Sequence, residues 1–171
     1  MRSRNYTKLG ITGTLLLLGS IPSIAACTAD TAGGSAFTCS GTDTTIQNIT
    51  TNNASVNVAA GYTNTSGSPI VIKATGALSY IDTNASNIKE SGTGGAAALD
   101  INQNGSTVGP GSIIIASNGT LTGGIKATNT SVGKVDIDVT GDVTSTGNAV
   151  FVSNSAGTTT DIKTNKISGS Y

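Results

Sequence analysis

The stretch Val135-Asp136-Ile137-Asp138-Val139-Thr140-Gly141-Asp142-Val143 decides the fold. Val135, Ile137 and Val139 alternate with Asp136, Asp138 and Thr140. A period of two is the signature of a strand with one buried and one wet face. A glycine follows, then a second short alternation about Val143. A related stretch lies upstream, Ile113-Ile114-Ile115-Ala116-Ser117-Asn118-Gly119-Thr120-Leu121. Its glycine and its leucine each precede their counterparts, Gly141 and Val143, by 22 residues. A weaker copy follows, in which Ile162 and Ile167 flank Asn165. Strand-sized units at one spacing predict a solenoid, in which each unit covers the apolar face of the next.

The composition agrees. Only 11% of the 171 residues are charged, against roughly 25% in an average soluble domain. Thr, Ser, Asn and Gly dominate, as expected of many short strands joined by small-residue turns. A disordered Ser/Thr/Gly linker has a similar composition but no reason to keep a period of two. The predicted fold is therefore all-β, a right-handed parallel β-helix. About five rungs fit residues 44–171, a rod of about 24 Å at roughly 4.8 Å per rung.

Residues 1–26 read as a signal peptide. Arg2, Arg4 and Lys8 precede a 13-residue apolar run from Leu9 to Ile21, then Pro22 and the small residues Ser23 to Ala26. The run is shorter than the roughly 20 residues of a transmembrane helix. Cleavage is expected before Ala26 or before Cys27.

Cys27 and Cys39 are the only cysteines. An even count behind an export signal predicts a disulfide. It would close a hairpin turning at Gly33-Gly34, so residues 27–43 form an N-terminal cap over the first rung. The rival reading is a lipoprotein, since Ile24-Ala25-Ala26-Cys27 resembles a bacterial lipobox in which Cys27 is acylated.

Further along, Ile46 and Ile49, then Val56 and Val58, give weak strand patterns. Ile70–Leu78 reads like the Ile113–Leu121 unit. From Gly76 to Gly119 is 43 residues, about two periods. The expectation is one rung carrying an outward loop over Ser79–Gly95, with Gly94–Ile101 equivalent to Gly147–Val152. That loop gathers Tyr80, Asp82, Lys89 and Glu90, an aromatic with both charge signs, and is the candidate recognition surface. The chain reaches Tyr171 without a cap-like segment, which reads as a fragment with a weak C-terminal end.

Several functions are disfavoured. Beyond Ala26 there is no Arg or His, and six lysines face nine acids. That balance disfavours nucleic-acid binding. Asp136 and Asp138 would share one outer strand face, roughly 6–7 Å apart. The spacing suits paired carboxylates or calcium, but no acid partner or oxygen cage accompanies it. No catalytic, cofactor-binding or metal residue is assigned. Asn-x-Ser/Thr at Asn53, Asn64, Asn84, Asn118 and Asn129 is expected by chance in so Asn- and Thr-rich a chain.

The signal peptide, the pair Ala26-Cys27-Thr28…Phe37-Thr38-Cys39-Ser40-Gly41, and the rungs Val135–Val143 and Gly147–Val152 together resemble the N-terminal part of a bacterial autotransporter passenger, of the type V secretion class. The resemblance implies a non-catalytic scaffold, secreted or held at the cell surface, adhesive towards host surfaces or carbohydrate ligands. It also implies a C-terminal β-barrel translocator as partner, which this sequence lacks; without one the product stays in the periplasm. The alternative is a polysaccharide-active β-helix enzyme.

Overall fold

A computed structural model of the chain describes residues 26–92, 95–105 and 111–169. The signal-peptide reading therefore lies outside the described residues except for Ala26. Every regular element among them is a strand. An antiparallel hairpin, β1 (Ala26–Ala29) and β2 (Ala36–Ser40), begins the fold. The coil then runs through β2, β3 (Thr42–Asp43) and β4 (Gln47–Ile49) in its first turn. The second turn is β5 (Ser55–Val58), β6 (Thr63–Ser66) and β7 (Ile70–Ala74). The third is β8 (Leu78–Asp82), β9 (Asn87–Glu90) and β10 (Leu99–Gln103). The fourth is β11 (Ile113–Ser117), β12 (Thr120–Thr122) and β13 (Ile125–Asn129). The fifth is β14 (Val135–Thr144) and β15 (Val150–Asn154), and β16 (Thr160–Ser168) opens the next.

All pairings after the hairpin are parallel, each strand stacking on its counterpart one turn earlier. The result is a parallel β-solenoid of about five turns. It has three walls. Wall one is β2, β5, β8, β11 and the first half of β14; wall two is β3, β6, β9, β12 and the second half of β14; wall three is β4, β7, β10, β13 and β15. Strand β14 serves two walls because its register shifts between Val139 and Asp142. The turn happens at Gly141, and the 22-residue glycine echo explains why. A Cβ on Gly141 would collide with the carbonyl oxygen of Gly119, directly below it. The corner is tight enough that only glycine fits.

The apolar alternation becomes vertical columns. On wall one Val56, Tyr80, Ile115 and Ile137 stand in register, all essentially without solvent exposure. On wall two Ile88, Leu121 and Val143 do the same. On wall three the columns are Ile70–Leu99–Ile125 and Ile72–Ile101–Ala127. Each fully buried Val, Ile or Leu contributes about 1.5–3 kcal/mol, and the columns merge into one core. No single turn could bury its own apolar face, which is why stacking and folding are one event.

The hairpin reads as expected. Cys27 and Cys39 are direct cross-strand partners and form a disulfide. That bond leaves no thiol at Cys27 for a lipid thioether. Strand β2 belongs to both hairpin and coil, so β1 covers the edge of wall one that β2 would otherwise expose. The cap also reaches across the end of the core: the Cys27 amide donates to Oε1 of Gln47 on wall three, 2.8 Å away.

Two expectations are corrected. Ser79–Gly95 is not an outward loop. It holds most of β8 and all of β9, both within the coil. The third turn is indeed a single turn, but its extra length lies after β9 and after β10, in the connections to Leu99 and to Ile113. Second, Ile70–Ala74 is not the counterpart of Ile113–Ser117. It lies on wall three and pairs with Leu99–Gln103, whereas Leu78 opens the strand that stacks under Ile113.

Candidate functional site

Two kinds of polar array follow from this geometry, one at the inner corners and one on the outer walls. At the corners a buried Asp, Asn or Ser ends a strand and accepts from the amide two residues on. Asp43 accepts from Thr45 at 2.9 Å, Asp82 from Asn84 at 3.1 Å and Asn129 from Ser131 at 3.1 Å. Ser117 does the same for Gly119 at 3.1 Å. These are Asx- and Ser-type turns, which satisfy backbone donors where the chain leaves the ladder.

Asp82 shows how a carboxylate is held inside. It is 1% exposed. It accepts from the Ser86 amide at 3.2 Å, the Ser86 hydroxyl, and Oγ of Ser117 in the next turn at 3.2 Å. These donors replace water around the charge. Tyr80 is buried beside it, and burial, with the Asp82 charge, raises its phenol far above the ordinary range. Tyr62 is likewise buried, and its phenol is pushed up to about 12, mainly by desolvation. Both rings are core elements.

The four residues expected to form a recognition surface therefore separate. Tyr80 and Asp82 point inward on wall one. Lys89 is exposed on the outer side of wall two, in register between Thr65 and Thr122. Glu90, half-buried, accepts from the Gly92 amide in its own connection. Strand alternation and the corner after β9 keep them from converging.

The outer walls carry the remaining chemistry. Charge concentrates over the last turns. Asp136 stands over Asp161, and Asp138 over Lys163. Lys134 holds Asp136 at 2.7 Å, Lys163 holds Asp161 at 3.4 Å, and Lys166 lies 3.7 Å from Asp142. The Asp161 hydrogen bond and charge, then Asp138 and Asp136, raise the Lys163 ammonium above its usual range. Exposed pairs of this kind contribute little to stability. Asp136 and Asp138 do share an outer face, as their spacing predicts, but a lysine neutralises Asp136 and no second acid faces them across a cleft. Among the described residues no group of three or more His, Cys, Asp or Glu side chains is placed to hold a metal ion. Below the charged rows the outer wall is small and polar, with Ser55, Ser79 and Asn57. Two Asn-x-Ser/Thr sites, Asn64 and Asn129, are fully buried corner or core residues and unavailable for modification.

The corner residues Asp43, Asp82, Asn64 and Asn129 escaped the reading by hydrophobic pattern. The signal was present as Asp/Asn-x-Thr/Ser/Asn at the end of a strand, the spacing of an Asx turn. No family model, curated protein or solved structure matches the chain.

Proposed function

We propose that the chain is a non-catalytic, extracytoplasmic scaffold of the autotransporter-passenger type, a rod that presents its outer walls to host-surface or carbohydrate ligands. One observation carries the reading. The Cys27–Cys39 bridge clamps the cap onto the first turn, directly behind a leader of basic, apolar and small residues. Such a bond forms and persists in an oxidising compartment. The flat polar walls support a display role, since hydrolysis of a glycoside needs two carboxyl groups across a cleft. On this reading a β-barrel translocator carries the rod across the outer membrane.

The test is expression of the full chain in a Gram-negative host, followed by fractionation, N-terminal sequencing and thiol titration. The expected product is exported, begins at Ala26 or Cys27, and has no free thiol before reduction. A full-length reduced chain retained in the cytoplasm would overturn the proposal.

A further inference from the structure

The two ends of the coil differ. The N-terminal edge of wall one is covered by β1 in antiparallel pairing. At the other end β16 pairs only with β14, and β15 only with β13. Each leaves a row of backbone donors and acceptors without a ladder partner, the usual recruiter of another strand. The side chains there are core-type. Ile162 stands over buried Ile137 and Ile167 over buried Val143, yet they are 43% and 50% exposed. Val150, Ala149 and Ile167 line an open depression at the same end.

The edge strand is self-complementary. Thr160-Asp161-Ile162-Lys163-Thr164, laid antiparallel against its own copy and centred on Ile162, sets Asp161 opposite the partner's Lys163 and Lys163 opposite the partner's Asp161. Thr160 then faces the partner's Thr164, and the two Ile162 side chains meet on the axis. Opposite charges directly across an antiparallel pair stabilise it, and like charges do the reverse. A two-fold axis normal to wall one through Ile162 keeps inward faces inward. It also places wall two of one copy over wall three of the other. Because the coil rises as it winds, the second half of β16 then comes level with the unpaired edge of the partner's β15. Both open edges are filled by one symmetric contact.

We propose that the C-terminal end of this solenoid binds a second copy of the same chain, end to end, through β16. The contact is closed: the covered N-terminal ends leave nothing to propagate a fibre. This inference is independent of the display role proposed above.

The experiment is sedimentation equilibrium of the oxidised full-length product at about 100 μM, a concentration that detects micromolar association. Wild type is expected to be a dimer. Asp161→Lys and Lys163→Asp each place like charges opposite one another in the homodimer, and each is expected to weaken dimerisation at least ~10-fold. An equimolar mixture of the two variants restores opposite charges across the edge and should recover the dimer. If a charge variant does not fold, Ile162→Cys replaces it: the two thiols meet on the axis and should cross-link on mild oxidation. A monomeric wild type would assign the edge to another occupant and overturn the proposal. So would higher assemblies, a mixture of folded variants that stays monomeric, or an Ile162→Cys chain that does not cross-link.

Discussion

Ile115→Asn is expected to abolish cooperative folding, while Ile114→Asn, one residue away, leaves the chain folded. The two isoleucines are sequence neighbours on opposite faces of β11. Ile115 is 1% exposed, in the column between Tyr80 and Ile137. Replacing it removes a buried aliphatic side chain, about 2–5 kcal/mol by analogy with other core truncations. The new amide also lacks a partner, a further cost of about 1–3 kcal/mol. The sum is comparable to the whole stability of a domain, about 5–15 kcal/mol. Ile114 is 38% exposed on the outer wall between Ser79 and Asp136. Its replacement should change stability by roughly 0.5 kcal/mol or less. Urea denaturation followed by far-ultraviolet circular dichroism distinguishes the two. Equal effects would mean that β11 does not alternate between core and solvent as described.

The second large effect concerns the cap. Replacing both Cys27 and Cys39 by Ala is expected to destabilise the chain by about 3 kcal/mol, the loop-closure value for a bridge spanning so few residues. Their sequence separation is 12. The loss should be local in origin. Without the bridge, β1 and its Cys27–Gln47 contact across the end of the core are free to open, and the edge of β2 becomes accessible. Amide hydrogen exchange should accelerate first in β2, β4 and β5, and only later in β11 to β14. Addition of reductant to the wild-type chain should reproduce the pattern. A uniform increase along all the turns would show that the bridge acts on the unfolded chain alone and not as an end clamp.

The parts of the fold that could be read from the sequence are those where every inward position is aliphatic. Val135, Ile137 and Val139 over Ile113 and Ile115 announce both the strand period and the repeat, and Gly119 under Gly141 marks the corner. Where the inward positions are polar, the same test is blind. Strand β6 reads Thr63-Asn64-Thr65-Ser66, with Asn64 and Ser66 inside, and has no apolar residue to reveal it. Strand β8 reads Leu78-Ser79-Tyr80-Ile81-Asp82, with Leu78, Tyr80 and Asp82 inside and Ile81 only half-buried. There a tyrosine and a carboxylate occupy core positions, the carboxylate because Ser86, Asn84 and Ser117 supply its donors. A segment with one aromatic and several charges looks like a recognition loop until those donors are counted. The Ile70–Ala74 run misled in the opposite way. Its apolar cluster followed by glycine matches Ile113–Leu121 locally, but walls one and three both contain such strands, and a local pattern does not say which wall it belongs to.

The central claim is that Val56, Tyr80 and Ile115 are consecutive steps of one inward column, with β8 inside the coil. It is tested most directly by nuclear Overhauser contacts in a methyl- and aromatic-labelled chain. The Tyr80 ring should contact the methyls of both Val56 and Ile115, residues on the strands either side of it in wall one. A Tyr80 ring without contacts to either, with rapidly exchanging amides from Leu78 to Glu90, would place that segment outside the coil and contradict the account.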